Sequence, residues 1–147
     1  MPLFDARVGH EEIDAQHQAM LSCLAELGSR MEGGDAGGSA AVLEALWRET
    51  VAHLALEEEL MNSLLYPERD AHRTAHQLFL QDVQGLVRLV AEQGPTEEAL
   101  ARRARILDWF AYHVEANDLP LARFLSRRAA SRAGGASDRP APRRSDA

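Results

Sequence analysis

Two pairs of side chains with one spacing sit in a single stretch of this chain, HLALEEELMNSLLYPERDAHRTAH (residues 53–76). His53 is followed four residues later by Glu57, and His72 by His76. Residues four apart on a helix lie on one face, so each pair is a clamp pointing one way. Between them, Pro67 can stop one helix and let another begin. If the two helices fold back antiparallel, the clamps face each other across a bundle core and four ligand-type side chains converge.

The chain divides into four helical stretches around this centre. Residues 11–32 place Ile13, His17, Met20, Leu21, Leu24 and Leu27 at spacings of three and four, the signature of one apolar helical face. GGDAGG (33–38) reads as a flexible connector, with Ser39 as N-cap of a second helix over about 40–65. A third helix is expected over about 70–93 and ends at Gly94-Pro95; Thr96 then caps a fourth, about 97–116. Asp118 and Pro120 suit the start of a short last helix. The expectation is all-α: an up-down-up-down antiparallel four-helix bundle (residues 1–128) with an extended N-terminal arm and a short C-terminal helix. Residues 129–147, rich in Ala, Arg, Ser, Gly and Pro, read as a disordered tail.

Charge and cysteine usage narrow the functions. The net charge is -7, and residues 1–125 carry 21 acids against 10 arginines. Such a body disfavours nucleic acid as a partner. The single cysteine, Cys23, permits no internal disulfide. No signal peptide and no membrane-length apolar run is read, so a soluble, cytoplasmic protein is expected, without a membrane or nucleic-acid partner.

Each long helix brings at least one histidine on its apolar side: His17, His53, His72 with His76, and His113. One buried histidine is ordinarily a packed, hydrogen-bonded core residue. Five in one core leave many ring nitrogens to satisfy, and a metal satisfies one nitrogen of each ring. Glu57 faces inward beside His53, and buried carboxylates are rare unless paired or coordinated. Glu58 and Glu59 are read as wet flanks. Asp118 lies five residues after His113, about 140° round a straight helix, so the two share a site only if the helix ends between them, and spacing alone does not single Asp118 out. Five histidines and two carboxylates exceed the needs of one ion and suit two, bridged by the carboxylates, with iron, manganese or zinc in near-octahedral coordination. The lack of Glu-x-x-His motifs excludes the ferritin-like di-iron pattern, and the lack of thiols excludes zinc fingers. A histidine-rich centre adds little negative charge. It can give electrons to O2 yet holds high-valent iron poorly, so reversible binding is the expectation.

In this order, VGHEEIDAQH (8–17), HLALEEELM (53–61), YPERDAHRTAH (66–76) and WFAYHVEAND (109–118) resemble the hemerythrin family, in particular the bacterial hemerythrins. The resemblance implies two iron ions (Fe2+/Fe3+) bridged by Glu57, Asp118 and an oxo or hydroxo group. It implies that His72, His76 and His113 ligate one iron and His17 and His53 the other, which keeps an open position for O2. The implied O2 pocket is Leu54, Trp109, Phe110 and Val114. Here the chain departs from the family: Phe is common where Leu54 stands, and Leu where Phe110 stands. A Trp common near the N-terminus is also missing, with Phe4 a candidate for its place. The function implied is reversible O2 binding for transport, storage or delivery, not catalysis, with O2 as the partner. The alternative is an oxygen or redox sensor, or an enzyme reducing peroxide or nitric oxide, on the same centre. His10 is assigned a surface or arm-packing role, and Cys23 is read as an inert, buried thiol.

Overall fold

The computed structural model describes residues 3–137, with side chains through 132. It is all-α: α1 (Glu11–Glu32), α2 (Ala36–Ser63), α3 (Arg69–Gln93), α4 (Glu97–His113), a π-helical turn (Val114–Asp118) and α5 (Leu119–Ser137). Each of the first four helices packs on the next, and α4 closes back on α1. That is the up-down-up-down bundle expected from short connectors.

The helix ends follow local chemistry, with some departures from expectation. His10, half-buried, does more than pack in the arm: its Nδ1 accepts a hydrogen bond from the Ile13 N–H (3.3 Å) and so caps α1, whose first turn carries Glu11, Glu12 and Asp14. The helix α2 starts earlier than Ser39. Asp35 is its N-cap, accepting from the Gly38 N–H at 2.9 Å, and this draws Gly37 and Gly38 into the first turn despite their poor propensity. Thr96 caps α4 as expected, its hydroxyl accepting from the Ala99 N–H (3.2 Å). Between α2 and α3 the chain turns before Pro67. Leu65 takes φ +52°, and the Tyr66 N–H bonds back to the Met61 carbonyl (2.9 Å). This closure usually uses glycine, and a leucine there costs about 1–2 kcal/mol.

The last helix differs most. Asp118 does not cap a separate short helix: α4 continues through the π turn into α5 without ending. Nor does a helix end mark residue 129, since α5 runs on to Ser137. The run Arg127–Arg132 is exposed but contains good helix formers such as Ala129 and Ala130. Residues 138–147 of the expected tail lie outside the described residues.

The bundle has two halves. Leu24, Leu27, Leu43, Leu46, Val83 and Leu86 fill one half and are essentially inaccessible. Arg103 ties α4 to α1 there by donating from Nε to the Leu24 carbonyl (2.8 Å); Gly28 leaves room for the guanidinium, which a Cβ would meet at 2.5 Å. The other half, beneath the arm and α5, buries polar groups. No helix among the described residues is long and apolar enough to cross a membrane.

Candidate metal centre

Seven polar side chains are buried together in that half: His17, His53, Glu57, His72, His76, His113 and Asp118, none more than 2% exposed. They are the seven expected from the sequence. Each long helix delivers its share by its own spacing: α1 His17, α2 His53 and Glu57, α3 His72 and His76, α4 His113.

Asp118 arrives by the π turn. In an α-helix it would lie about 140° from His113. In the π turn the bond from the Leu119 N–H closes on the Val114 carbonyl, five residues back. A turn closed at that spacing returns residue i+5 nearly to the face of residue i. His113 Nε2 and Asp118 Oδ1 are thus 3.0 Å apart. The expectation that the helix must end between them is replaced by a wider turn, a feature found mostly at functional sites. All three pairs, His53–Glu57, His72–His76 and His113–Asp118, are therefore clamps of one shape.

The donor atoms form two groups sharing both carboxylates. Glu57, His72, His76, His113 and Asp118 make one; His17, His53, Glu57 and Asp118 make the other. Within each group one atom per residue lies within 4.8 Å of all the others. Ligands about 2.1 Å from a common ion lie about 3 to 4.2 Å apart, close to this spacing. The carboxylates reach across: Glu57 Oε1 is 3.2 Å from His53 Nε2, and its Oε2 is 3.0 and 3.1 Å from His72 and His76 Nε2. Asp118 Oδ2 is 2.9 Å from His17 Nε2 and its Oδ1 3.1 Å from His72 Nε2. Yet Glu57 Oε1 and His113 Nε2 make no aligned hydrogen bond among the described residues. Buried polar atoms are rarely left so, and a cation would satisfy both.

Without a metal, the cluster must balance its own charge. Burial and the Asp118 charge push the Glu57 carboxyl up, but His53, His72 and His76 hold it well below the usual carboxylate range. Burial likewise pushes Asp118 up, while His113, His17, His53 and His72 draw it well down. Burial would lower His53 and His72; the Asp118 and Glu57 carboxylates instead raise both to about 9. For His76 burial prevails and its pKa falls. Protons thus partly substitute for the positive charge that two buried carboxylates require.

The far ring nitrogens expose residues that the sequence reading missed. His17 Nδ1 donates to the Ala6 carbonyl (2.7 Å) and His53 Nδ1 to Gln16 Oε1 (2.8 Å). These bonds fix the tautomer and aim Nε2 at the centre. The arm brings Ala6, pinned by the Asp14 carboxylate, which accepts from the Val8 (2.6 Å) and Gly9 (3.2 Å) N–H groups; Gly9, at φ +88°, allows the bend. Gln16 sits beside His17, so only the facing of α1 and α2 reveals it. Glu58 is no freely solvated flank: its Oε1 is 3.8 Å from His76 Nδ1. The turn from Glu57 to Glu58 points it toward α3.

Of the four residues expected in an O2 pocket, Leu54, Phe110 and Val114 are buried. Phe110 meets His17 edge-on (centroids 5.3 Å), and Phe4 meets Phe110 edge-on (5.4 Å). Trp109 faces the other group, stacked on His113 (4.7 Å, 11°) and on Phe79 (4.6 Å, 8°). Tyr112 points to solvent, 69% exposed, and Cys23 is half-buried.

An all-α bundle with a buried, two-lobed cluster of five histidines and two bridging-type carboxylates defines a dinuclear metal protein. The family described as Hemerythrin HHE cation binding domain matches residues 8–125. The chain is 30% identical over 115 residues to a bacteriohemerythrin of Pseudomonas aeruginosa, covering 78% of this chain and 73% of that protein. A bacteriohemerythrin of Stenotrophomonas maltophilia is 27% identical over the same length and shares, and a myohemerythrin of Riftia pachyptila is 26% identical over 112 residues, 76% of this chain and 82% of that protein. This chain belongs to the hemerythrin family, and its cofactor is a non-haem di-iron centre.

Proposed function

We propose that this chain binds O2 reversibly at the di-iron centre and serves as a carrier, store or delivery protein in the cytoplasm, with no catalytic residue of its own. The observation that carries the reading is the inequality of the two donor groups, five protein ligands against four. His72, His76 and His113 would hold one iron and His17 and His53 the other, with Glu57 and Asp118 shared between them. With near-octahedral ions the smaller ligand set would leave a position free, on the two-histidine side. When bound, the iron pair supplies the two electrons that O2 borrows and returns.

The chain's own residues make that loan reversible. Ala6 and Gln16 hold the His17 and His53 rings in one orientation, so the open side keeps its shape. Phe110 against His17, with Phe4 behind it, puts hydrocarbon on that side, and the buried Leu54 and Val114 would complete a lining that excludes water. Among the titratable groups described there, all belong to the ligand set. An enzyme reducing peroxide or nitric oxide would want a spare acid or base at the open position.

The test is the absorption spectrum of anaerobically reduced protein on exposure to air, with iron counted per chain. Reversible binding requires two irons and a visible charge-transfer band that vanishes when O2 is removed. Two irons that oxidise at once without the band would replace this reading with a sensor or enzyme. Chains purified without iron would remove its basis.

A further inference from the structure

Trp109 is not needed to close the two-histidine side, and its setting suggests another task. Its indole lies nearly parallel to the His113 ring, at 11° and 4.7 Å between centroids. It also borders a surface groove of about 490 Å³ between α3 and α4, with Gln81, Asp82, Arg102 and Arg105 round it. One aromatic side chain therefore touches a ligand histidine and the solvent-open surface. On the opposite side, Phe110 meets His17 edge-on, and Phe4 in turn meets Phe110 edge-on.

We propose that Trp109 is the electron port of the centre: outer-sphere donors in the α3–α4 groove reduce the oxidised iron pair through the indole and the His113 ring. This rests on His113 being an iron ligand. Each event moves one electron. The donor is oxidised by one electron, one Fe3+ becomes Fe2+, and no bond to the protein forms or breaks; two events restore the diferrous, oxygen-binding form. The donor class is a one-electron carrier, such as a reduced iron–sulfur protein or a flavin radical, which need only bring its edge to the groove. Parallel overlap of π faces couples the rings better than edge contact, and the groove is polar and open where the Phe4–Phe110 side is packed. The molecule thus separates its two traffics, oxygen at the two-histidine side and electrons at the three-histidine side.

The experiment attaches a ruthenium photosensitiser to a single introduced cysteine in a C23S background, either R105C in the groove or R48C in the separate groove between α2 and α3, which is lined by Trp47. Flash-induced electron arrival at the diferric centre is read from the iron absorption and from the sensitiser's excited-state lifetime. Zinc-loaded protein is the redox-inert control, and iron per chain is counted throughout. Electron arrival from position 105 should be about tenfold faster than from 48, equivalent to about 1.4 kcal/mol of barrier. W109L should abolish that advantage and W109F keep part of it. Trp109 emission, isolated by W47F, should be quenched by iron and restored by zinc. Equal rates from the two sites, or an unchanged rate in W109F and W109L, would overturn the proposal. If W109L loads no iron, the two labelling sites and W109F still decide it. A wild-type chain that holds no iron would instead overturn the assignment of the centre.

Discussion

The two sides of the cluster present similar imidazoles to the centre but hold them differently. On the two-histidine side every far nitrogen has an acceptor: the Ala6 carbonyl for His17 and Gln16 for His53. On the three-histidine side, Nδ1 of His72, His76 and His113 finds no hydrogen-bond partner among the described residues; Glu58 Oε1 stands 3.8 Å from that of His76. Those rings are held by contact instead, His72 against His76 and His113, and His113 under Trp109. Directed hydrogen bonds fix the side that the proposed function would keep open, where an ion with fewer ligands would give less help. The crowded side is fixed by ligand number and stacking. The lesson is that a ligand ring is aimed by what stands behind it as much as by what it faces.

Removing a group shared by both sides should have the largest effect. D118A should lower bound iron from two per chain to one or none by elemental analysis, because it takes a bridge from both ions and leaves four histidines facing a cavity. Deleting Ala116, an exposed residue of the π turn, should instead preserve iron binding, since His113 and the aspartate then stand four apart on an ordinary α-helix. Loss of iron in that deletion would show that the π turn does more than accommodate one extra residue.

Next come the supports. Q16L should weaken iron binding on the two-histidine side by about 10–100-fold, the usual result of losing a partner behind a ligand. E58L should do less, because 3.8 Å is beyond hydrogen-bond reach. Stepwise iron titration separates the sites, and equal losses would break the comparison.

A smaller effect follows from pH in metal-free protein. His53 and His72 are raised from 6.5 to about 9 by the two carboxylates against the pull of burial. Their stabilisation is complete below pH 6.5 and is lost as pH rises through about 9. Glu57 and Asp118, both depressed by histidine contacts, stabilise the fold above 4.5 and 3.8, and that stability is lost as pH falls through their lowered values. His76, lowered by burial, works against acid conditions below 6.5. Melting temperatures of metal-free protein should therefore decline between pH 6.5 and 9.5, and bound metal should flatten that decline. A rising trend would contradict the charge balance described here.

The smallest expected change is from exchanging the residues at 54 and 110 (L54F/F110L). Volume is roughly conserved while the ring leaves the face of His17, so stability should shift by less than about 1.5 kcal/mol while the autoxidation rate changes. An unchanged rate would remove Phe110 from the oxygen pocket.

By itself the sequence determined the helices and the inward residues. Spacings of three and four are set by the helix itself, so His17, His53, Glu57, His72, His76 and His113 could be placed on buried faces from local pattern alone. The cap at Thr96 was readable for the same reason. Asp118 was named from resemblance, and its route into the centre was not legible: nothing in VEAND distinguishes a π turn from a helix end, because the choice depends on what α5 packs against. Tertiary structure alone decided the rest. Gln16 and the Ala6 carbonyl become ligand supports only when α1, α2 and the arm meet. Glu58 approaches His76 only across the α2–α3 interface, and Trp109 goes to the three-histidine side only because Phe79 on α3 receives it. Helical periodicity fixes where a side chain points relative to its own axis; which groups meet depends on how the axes pack, and that is a property of the whole bundle.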